Sequence, residues 1–168
     1  MYPSLTRRRF LAASASSCAA GIAASSETFA APAVRIPVGV QLWTLRKEMA
    51  EDPAGTLRRV AEIGYQGVEL WFQEWPEARE LKKMVDESGL RIASAHVNLK
   101  DLLDDFLRIA DYHRAIGNRT LVIPYLPNFA KFTADDWRRT IDDVRHAART
   151  GTEAGFEMLY HNHGFEFT

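Results

Sequence analysis

The chain has 168 residues, of which 46% are hydrophobic and 26% are charged, and its formal net charge is −1. These values are typical of a globular domain with a core of its own. A charge so close to zero gives no electrostatic basis for binding nucleic acid or an acidic membrane surface, and the single cysteine, Cys18, excludes an intrachain disulfide.

The N-terminal segment has the pattern of an export signal. Three arginines, Arg7 to Arg9, precede Phe10 and a run rich in alanine and serine. This run is too short and too weakly apolar for stable insertion across a bilayer. We therefore predict that residues 1–33 are a twin-arginine signal peptide, cleaved after Ala30 or Ala33, and that the protein is exported to the periplasm.

Two other interpretations of the same segment stay open. The letters "ASSC" resemble a poor lipobox, in which Cys18 would carry a lipid and tether the protein to a membrane. Ala15 stands where a larger aliphatic residue is usual, which weakens this interpretation. The segment could also be an arginine-rich disordered tail.

From Val38 onward, one pattern repeats: a short apolar run, an amphipathic segment, a glycine, and the next apolar run. Short runs that are apolar nearly throughout are typical of parallel strands covered on both faces. The predicted strands are Val38–Leu42, Gly67–Trp71, Arg91–Val97, Thr120–Pro124 and Phe156–His161.

The segments between these runs have apolar residues spaced three and four apart, as in helices with one buried face. The predicted helices are Pro53–Ile63, Pro76–Ser88, Asp101–Ile116 and Ala134–Ala154. Asp52 and Thr133 have the positions of N-terminal caps. Gly64, Gly89, Gly117 and Gly155 follow the predicted helices, where a left-handed residue turns the chain back.

Alternation of strand and helix predicts an α/β fold with a parallel sheet and right-handed crossovers. From the pattern alone, the fold is either an open doubly wound sheet or a piece of a (β/α)8 barrel. No Gly-x-Gly-x-x-Gly follows the first strand, which argues against a dinucleotide site.

Polar and aromatic residues occur where the predicted strands end, and in parallel α/β folds the functional residues gather at these ends. The candidates are Trp43, Glu69, Trp71, His96, His161, His163 and Glu166. Each also has a structural interpretation: the tryptophans could pack the mouth of a barrel, and His96 could be a core histidine. His113 and His146 lie on predicted helices among charged residues, and we predict that both are on the surface.

The last residues, "YHNHGFEF", combine two histidines and a carboxylate. This donor set favours a divalent ion such as Mn²⁺, Zn²⁺, Co²⁺ or Fe²⁺. Three residues from one strand end rarely complete a metal site, so further ligands would have to come from elsewhere.

Four stretches, "VGVQLWTLR", "AEIGYQGVELW", "GLRIASAHV" and "YHNHGFEF", occur in an order that resembles the xylose isomerase-like TIM-barrel proteins, which include sugar phosphate isomerases/epimerases. The resemblance implies that residues 34–168 are the N-terminal part of such a barrel, with about four βα units and a fifth strand. Because a complete barrel needs about 250 residues, we expect the chain to be truncated after the fifth strand. A half barrel that dimerises to close the ring is the alternative.

The resemblance further implies a divalent metal ion (Mn, Zn, Co, Fe or Mg), with Glu166 as a metal ligand and catalytic residue. His161 and His163 would be catalytic residues too, as further ligands or as hydrogen-bonding partners of the substrate. Glu69, His96, Trp43 and Trp71 would then bind the substrate.

The implied function is metal-dependent isomerisation or epimerisation of a sugar or sugar phosphate, by a full-length enzyme that could be a homo-oligomer. The resemblance also leaves open a lyase or hydrolase of the inosose dehydratase or endonuclease IV type. A non-catalytic, exported carbohydrate-binding protein is the third interpretation.

Overall fold

A parallel sheet of five strands in the order β1-β2-β3-β4-β5 organises the chain. The structure, a computed structural model, describes residues 36–71, 76–126 and 131–167. The predicted signal peptide, with Cys18, therefore lies outside the described residues. The unit that contains the sheet spans Pro37–Thr168. The strands are β1 Gly39–Gln41, β2 Gly67–Leu70, β3 Arg91–His96, β4 Thr120–Ile123 and β5 Glu157–Tyr160.

Each strand lies within its predicted run and is shorter by one or more residues. Sequential neighbours pair in parallel throughout, from Gly39 opposite Gly67 in β1 and β2 to Ile123 opposite Tyr160 in β4 and β5. Consecutive strands that lie side by side in sequence order are what a barrel requires, whereas a doubly wound sheet reverses its strand order. The prediction of a partial (β/α)8 barrel is confirmed.

The helices fill the crossovers between the strands. They are α1 Arg46–Glu51, α2 Pro53–Ile63, α3 Ala78–Ser88, α4 Leu99–Asp104, α5 Phe106–Ala115 and α6 Ala134–Glu153, with 3-10 turns at Leu42–Leu45 and Gly164–Phe167. Within the described residues, no helix is both long enough and apolar enough to cross a membrane.

One predicted helix is wrong, because the structure has two helices in its place. The segment expected as a single helix from Asp101 to Ile116 is broken at Asp105, which has a non-helical backbone with φ −149° and ψ 60°. The Asp105 carboxylate accepts a hydrogen bond from the backbone N–H of Arg108 and so caps α5. Aspartate favours such a cap over a helix interior because its side chain competes for backbone N–H groups.

The predicted caps are confirmed. The Asp52 carboxylate accepts from the Gly55 N–H at 2.9 Å. Thr133 forms a reciprocal capping box with Asp136 at the start of α6. At the other end of α2, Gly64 has φ 111°, a left-handed conformation in which a residue with a Cβ is strained.

Strand β3 contains an irregularity that changes which side chains face each side of the sheet. Val68 pairs with Ile92, but the next residue, Glu69, pairs with Ser94, so that Ala93 has no partner in the ladder. An extra residue of this kind shifts the two-residue alternation by one position. Ile92 packs against the helix-side core before the shift, and Ala95 does so after it. Ser94 and His96 are thereby turned to the same side as Glu69.

The hydrophobic core has two parts. One, around Leu57, Val68 and Leu81, joins β1, β2 and β3 to the helices α2 and α3. The other, around Leu121 and Ile123, joins β4 to α5, α6 and Phe156. Together they cover the helix side of the sheet and hold the strand ends at fixed positions.

His113, predicted to lie on the surface, is instead buried, with 6% of its area exposed. Its Nδ1 lies 3.2 Å from the Asn118 side-chain nitrogen, and Asn118 also bonds the backbone of Thr120 through both amide atoms. Burial lowers the pKa of His113 to about 4. The imidazole is therefore neutral at pH 7, and Nδ1 can accept from Asn118. His146 is exposed, as predicted.

Candidate functional site

Polar side chains from the first three strands meet at the carboxyl ends of these strands. Gln41 is opposite Glu69 in the β1–β2 pair, and Glu69 is opposite Ser94 in the β2–β3 pair. His96 follows at the end of β3 and is 92% buried. This edge of the sheet is where barrels of this type carry their functional residues.

The Glu69 carboxylate is the centre of this group, which we call the Glu69 network and define as Gln41, Glu69, Ser94 and His96. Its Oε1 accepts from the Gln41 amide nitrogen at 2.7 Å and lies 3.1 Å from His96 Nε2. Its Oε2 accepts from the Ser94 hydroxyl at 2.5 Å. Burial alone would raise the pKa of Glu69, but the hydrogen bonds from His96, Ser94 and Gln41 and the attraction to His96 lower it to about 2. Glu69 is therefore ionised at any physiological pH.

Two further histidines, His161 and His163, follow the end of β5 and lie beside this group. The His96 and His161 rings meet edge to face with centroids 5.2 Å apart, and the His161 and His163 centroids are 4.8 Å apart. Burial and repulsion from His96 and His163 lower the pKa of His161, against the attraction of Glu69 and Glu166. The structure thus brings the rings of His96, His161 and His163 together.

Glu166 is held differently. Its Oε1 accepts from the Tyr160 hydroxyl at 2.7 Å, and its Oε2 accepts from the His163 backbone N–H at 2.8 Å. Burial would raise the pKa of Glu166, but the hydrogen bonds from Tyr160 and His163 lower it. Tyr160 packs against the helix-side core, and with Glu166 it lines a cavity of about 530 Å³ beside Trp137 and Ile141 of α6. In this arrangement the Glu166 carboxylate fixes the 3-10 turn after β5, and its role as a metal ligand stays a prediction.

The two candidate tryptophans differ in exposure. Trp43 is 48% exposed, and the Arg46 guanidinium lies over its ring at 4.6 Å from the centroid. Trp71 is 5% exposed and belongs to the core between β1, β2 and the helices. Contact with a substrate stays a prediction for both, with the exposed indole of Trp43 in the better position for it.

The donor set does not make a complete metal site. Among the residues that the structure describes, no three His, Cys, Asp or Glu side chains are arranged to hold a metal ion. The Glu69 oxygens are already bonded to Gln41, Ser94 and His96. A divalent ion therefore needs ligands beyond those that the described residues provide.

The candidates chosen from the sequence omitted Gln41 and Ser94. Gln41 carried a weak signal, because it is the last residue of an apolar strand. Ser94 carried none, because regular alternation from Ile92 would point its side chain toward the helices, and only the irregularity at Ala93 turns it to Glu69.

A parallel sheet in sequential strand order, with polar residues at its carboxyl edge, defines this chain as part of a TIM barrel. The profile of the xylose isomerase-like TIM barrel family matches residues 57–168. The chain belongs to this family. No curated protein is significantly similar to it in sequence.

Several solved structures are similar to this chain. One crystal structure of a sugar phosphate isomerase/epimerase from Parabacteroides distasonis ATCC 8503 is 27% identical with a TM-score of 0.67, and the match covers 79% of this chain and 53% of that protein. Another from the same organism is 26% identical with a TM-score of 0.65, covering 79% of this chain and 56% of that protein.

An AP endonuclease, family 2, from Brucella melitensis has the same fold at 19% identity and a TM-score of 0.61, covering 74% of this chain and 55% of that protein. The chain thus spans about half the length of the structures it matches.

Proposed function

We propose that the complete protein is a metal-dependent isomerase or epimerase of a sugar or sugar derivative, and that this chain supplies the first half of its barrel. The observation that carries the proposal is the convergence of Glu69, His96 and His161 at the carboxyl edge of the sheet. The similarity to two sugar phosphate isomerase/epimerase structures supports it.

The described residues suit the binding of a hydroxylated substrate. Hydrogen-bonding groups from three strands converge at the carboxyl edge of the sheet, and Trp43, in the turn that follows β1, has an exposed indole. Flat aromatic faces and polar groups of this kind accommodate sugar rings. An ionised Glu69 cannot give up a proton at neutral pH, so it does not act as a general acid. The near-neutral charge of the chain supports a small-molecule partner over nucleic acid.

The metal ion is part of the proposal and would be Mn²⁺, Zn²⁺, Co²⁺, Fe²⁺ or Mg²⁺. The test is to purify the full-length protein, measure its metal content, and assay interconversion of aldoses, ketoses and their phosphates before and after chelation. We expect turnover to be lost with the metal and restored by adding one of these ions. Turnover that survives complete metal removal would contradict metal dependence, and sugar binding without turnover would favour a binding protein.

Replacing Glu166 with glutamine tests its proposed role as a ligand. We expect Glu166→Gln to remove most of the bound metal and to abolish metal-dependent turnover, because an amide is a much weaker ligand than a carboxylate. Glu153→Gln, at the exposed end of α6, is the matched control. Tyr160→Phe separates the two roles, because it removes the hydrogen bond to Glu166 and keeps the carboxylate. Full metal content in Glu166→Gln would show that Glu166 stabilises the 3-10 turn and is not a metal ligand.

We also propose export to the periplasm through the twin-arginine pathway, from the arginines at positions 7, 8 and 9. Replacing all three with lysine should keep the charge of the segment and block export, because the transporter recognises the arginine pair and not the charge. Fractionation of cells that express the wild-type and lysine forms measures the effect. Equal periplasmic amounts of both forms would exclude this pathway, and membrane association that depends on Cys18 would indicate a lipid anchor.

A further inference from the structure

The contacts of His96 Nε2 in the Glu69 network cannot all be hydrogen bonds at once. This nitrogen lies 3.1 Å from Glu69 Oε1 and also 3.1 Å from the Gln41 amide nitrogen. A ring nitrogen that carries a proton donates to the carboxylate, and one that carries a lone pair accepts from the amide. The state of Glu69 decides between the two arrangements.

An ionised Glu69 favours the proton on His96 Nε2. Without that proton, a lone pair would face a negatively charged oxygen at 3.1 Å with nothing between them. With it, the contact becomes a charge-assisted hydrogen bond. The Gln41 amide already donates to the same oxygen at 2.7 Å, so it does not need His96 as an acceptor.

The assignment of the Gln41 amide follows from the same charge. Exchanging its nitrogen and oxygen would place a carbonyl oxygen 2.7 Å from the Glu69 carboxylate, where two acceptors repel each other. Gln41 therefore presents its NH₂ group to Glu69, and Ser94 presents its hydroxyl to the other oxygen at 2.5 Å.

The carboxylate is then largely occupied by the protein itself. A carboxylate offers about four acceptor positions, and Gln41, His96 and Ser94 take three of those of Glu69. Glu69 is thus better placed to orient His96 than to bind a substrate hydroxyl directly, as the sequence had suggested.

We propose that Gln41 and Ser94 are positioning residues, which hold Glu69 so that His96 keeps its proton on Nε2 and its lone pair on Nδ1. This inference rests on the proposed function, because it gives the substrate a required chemistry. A substrate group that binds His96 Nδ1 would then be a hydrogen-bond donor, such as a sugar hydroxyl, and not a carbonyl or ether oxygen.

The first test needs no variant and no activity. In full-length protein labelled with ¹⁵N-histidine, NMR at pH 8 distinguishes a protonated ring nitrogen from one with a lone pair. The signals of His96 are identified by their absence from the spectrum of His96→Gln. We expect His96 to be protonated on Nε2 alone. Protonation on Nδ1 alone would overturn the proposal, even if the protein proves to be an isomerase.

The second test removes the positioning hydrogen bonds. Gln41→Met keeps the length of the side chain without its donor, and Ser94→Ala removes the hydroxyl that Ser94→Thr restores. Because hydrogen bonds to charged groups are the stronger ones, we expect kcat/KM to fall by about tenfold or more in Gln41→Met and in Ser94→Ala. We expect recovery in Ser94→Thr, and a mixture of His96 tautomers in the first two variants.

A His96 spectrum that is unchanged in both Gln41→Met and Ser94→Ala would overturn the positioning role. If no isomerase activity is found while the spectra behave as expected, the proposed function fails and the positioning role stands. A deoxy or methyl-ether analogue that binds as well as the parent sugar at every hydroxyl would contradict the requirement for a donor.

Discussion

Replacing Leu57 with alanine is expected to lower the free energy of unfolding by about 3 kcal/mol, through lost burial and the cavity left behind. Leu57 lies on α2, is fully buried, and packs in the core that joins this helix to β1 and β2. Urea denaturation of the two proteins under the same conditions measures the difference.

Leu107→Ala provides the matched control, because this leucine is also on a helix and is 74% exposed. Both variants exchange leucine for alanine on a helix, and Leu107 lies in the first turn of α5, so most of the difference between the two variants reports burial. Similar losses in both variants would show that α2 does not pack as the structure has it.

The second large effect is a dependence of stability on pH that comes from His113. The imidazole titrates near 6.5 in the unfolded chain and near 4 in the folded protein, because burial disfavours its charged form. The unfolded chain therefore binds more protons between these values. The contribution of His113 to the free energy of unfolding is about 3 kcal/mol. It is fully present above pH 6.5 and is lost as the pH falls toward 4.

Substituting glutamine for His113 removes the titration and keeps an acceptor for the Asn118 amide. We expect His113→Gln to lose less stability than the wild type between pH 7 and pH 4, by about this amount. Urea denaturation at each pH measures the free energy of unfolding. His146→Gln, at an exposed position on α6, is the control for removing a histidine. An identical pH profile for wild type and His113→Gln would refute the assignment.

The order and type of the elements could be predicted from the sequence because each depends on local chemistry. Asp52 before Pro53 and the threonine–aspartate box at Thr133 determine where α2 and α6 begin. Left-handed glycines such as Gly64 determine where helices end. The break at Asp105 was missed because the apolar periodicity of α4 runs on into α5, and only the backbone shows that the aspartate caps a new helix.

The site was predictable only where polarity at a strand end revealed it. Glu69, His96 and His161 stand out as polar residues in or after apolar runs, and the structure brings them together. The burial of His113 depends on Asn118 and the strand that follows, which no helical pattern includes. The bonds of Glu166 to Tyr160 and His163 depend on the turn after β5, which spacing alone does not describe.

The unpaired Ala93 has a consequence for comparing this chain with other proteins. If β3 is aligned from Ile92 with a regular strand and no gap is introduced, Ser94 and His96 are matched to residues that face the helices. Their true equivalents lie one residue away. Residue-by-residue transfer of roles between family members therefore requires a gap at Ala93 wherever the relative lacks this extra residue. Deleting Ala93 would turn β3 into a regular strand in which Ser94 directly follows Ile92 and stays opposite Glu69, so the hydroxyl and the imidazole would remain on the side of the carboxylate.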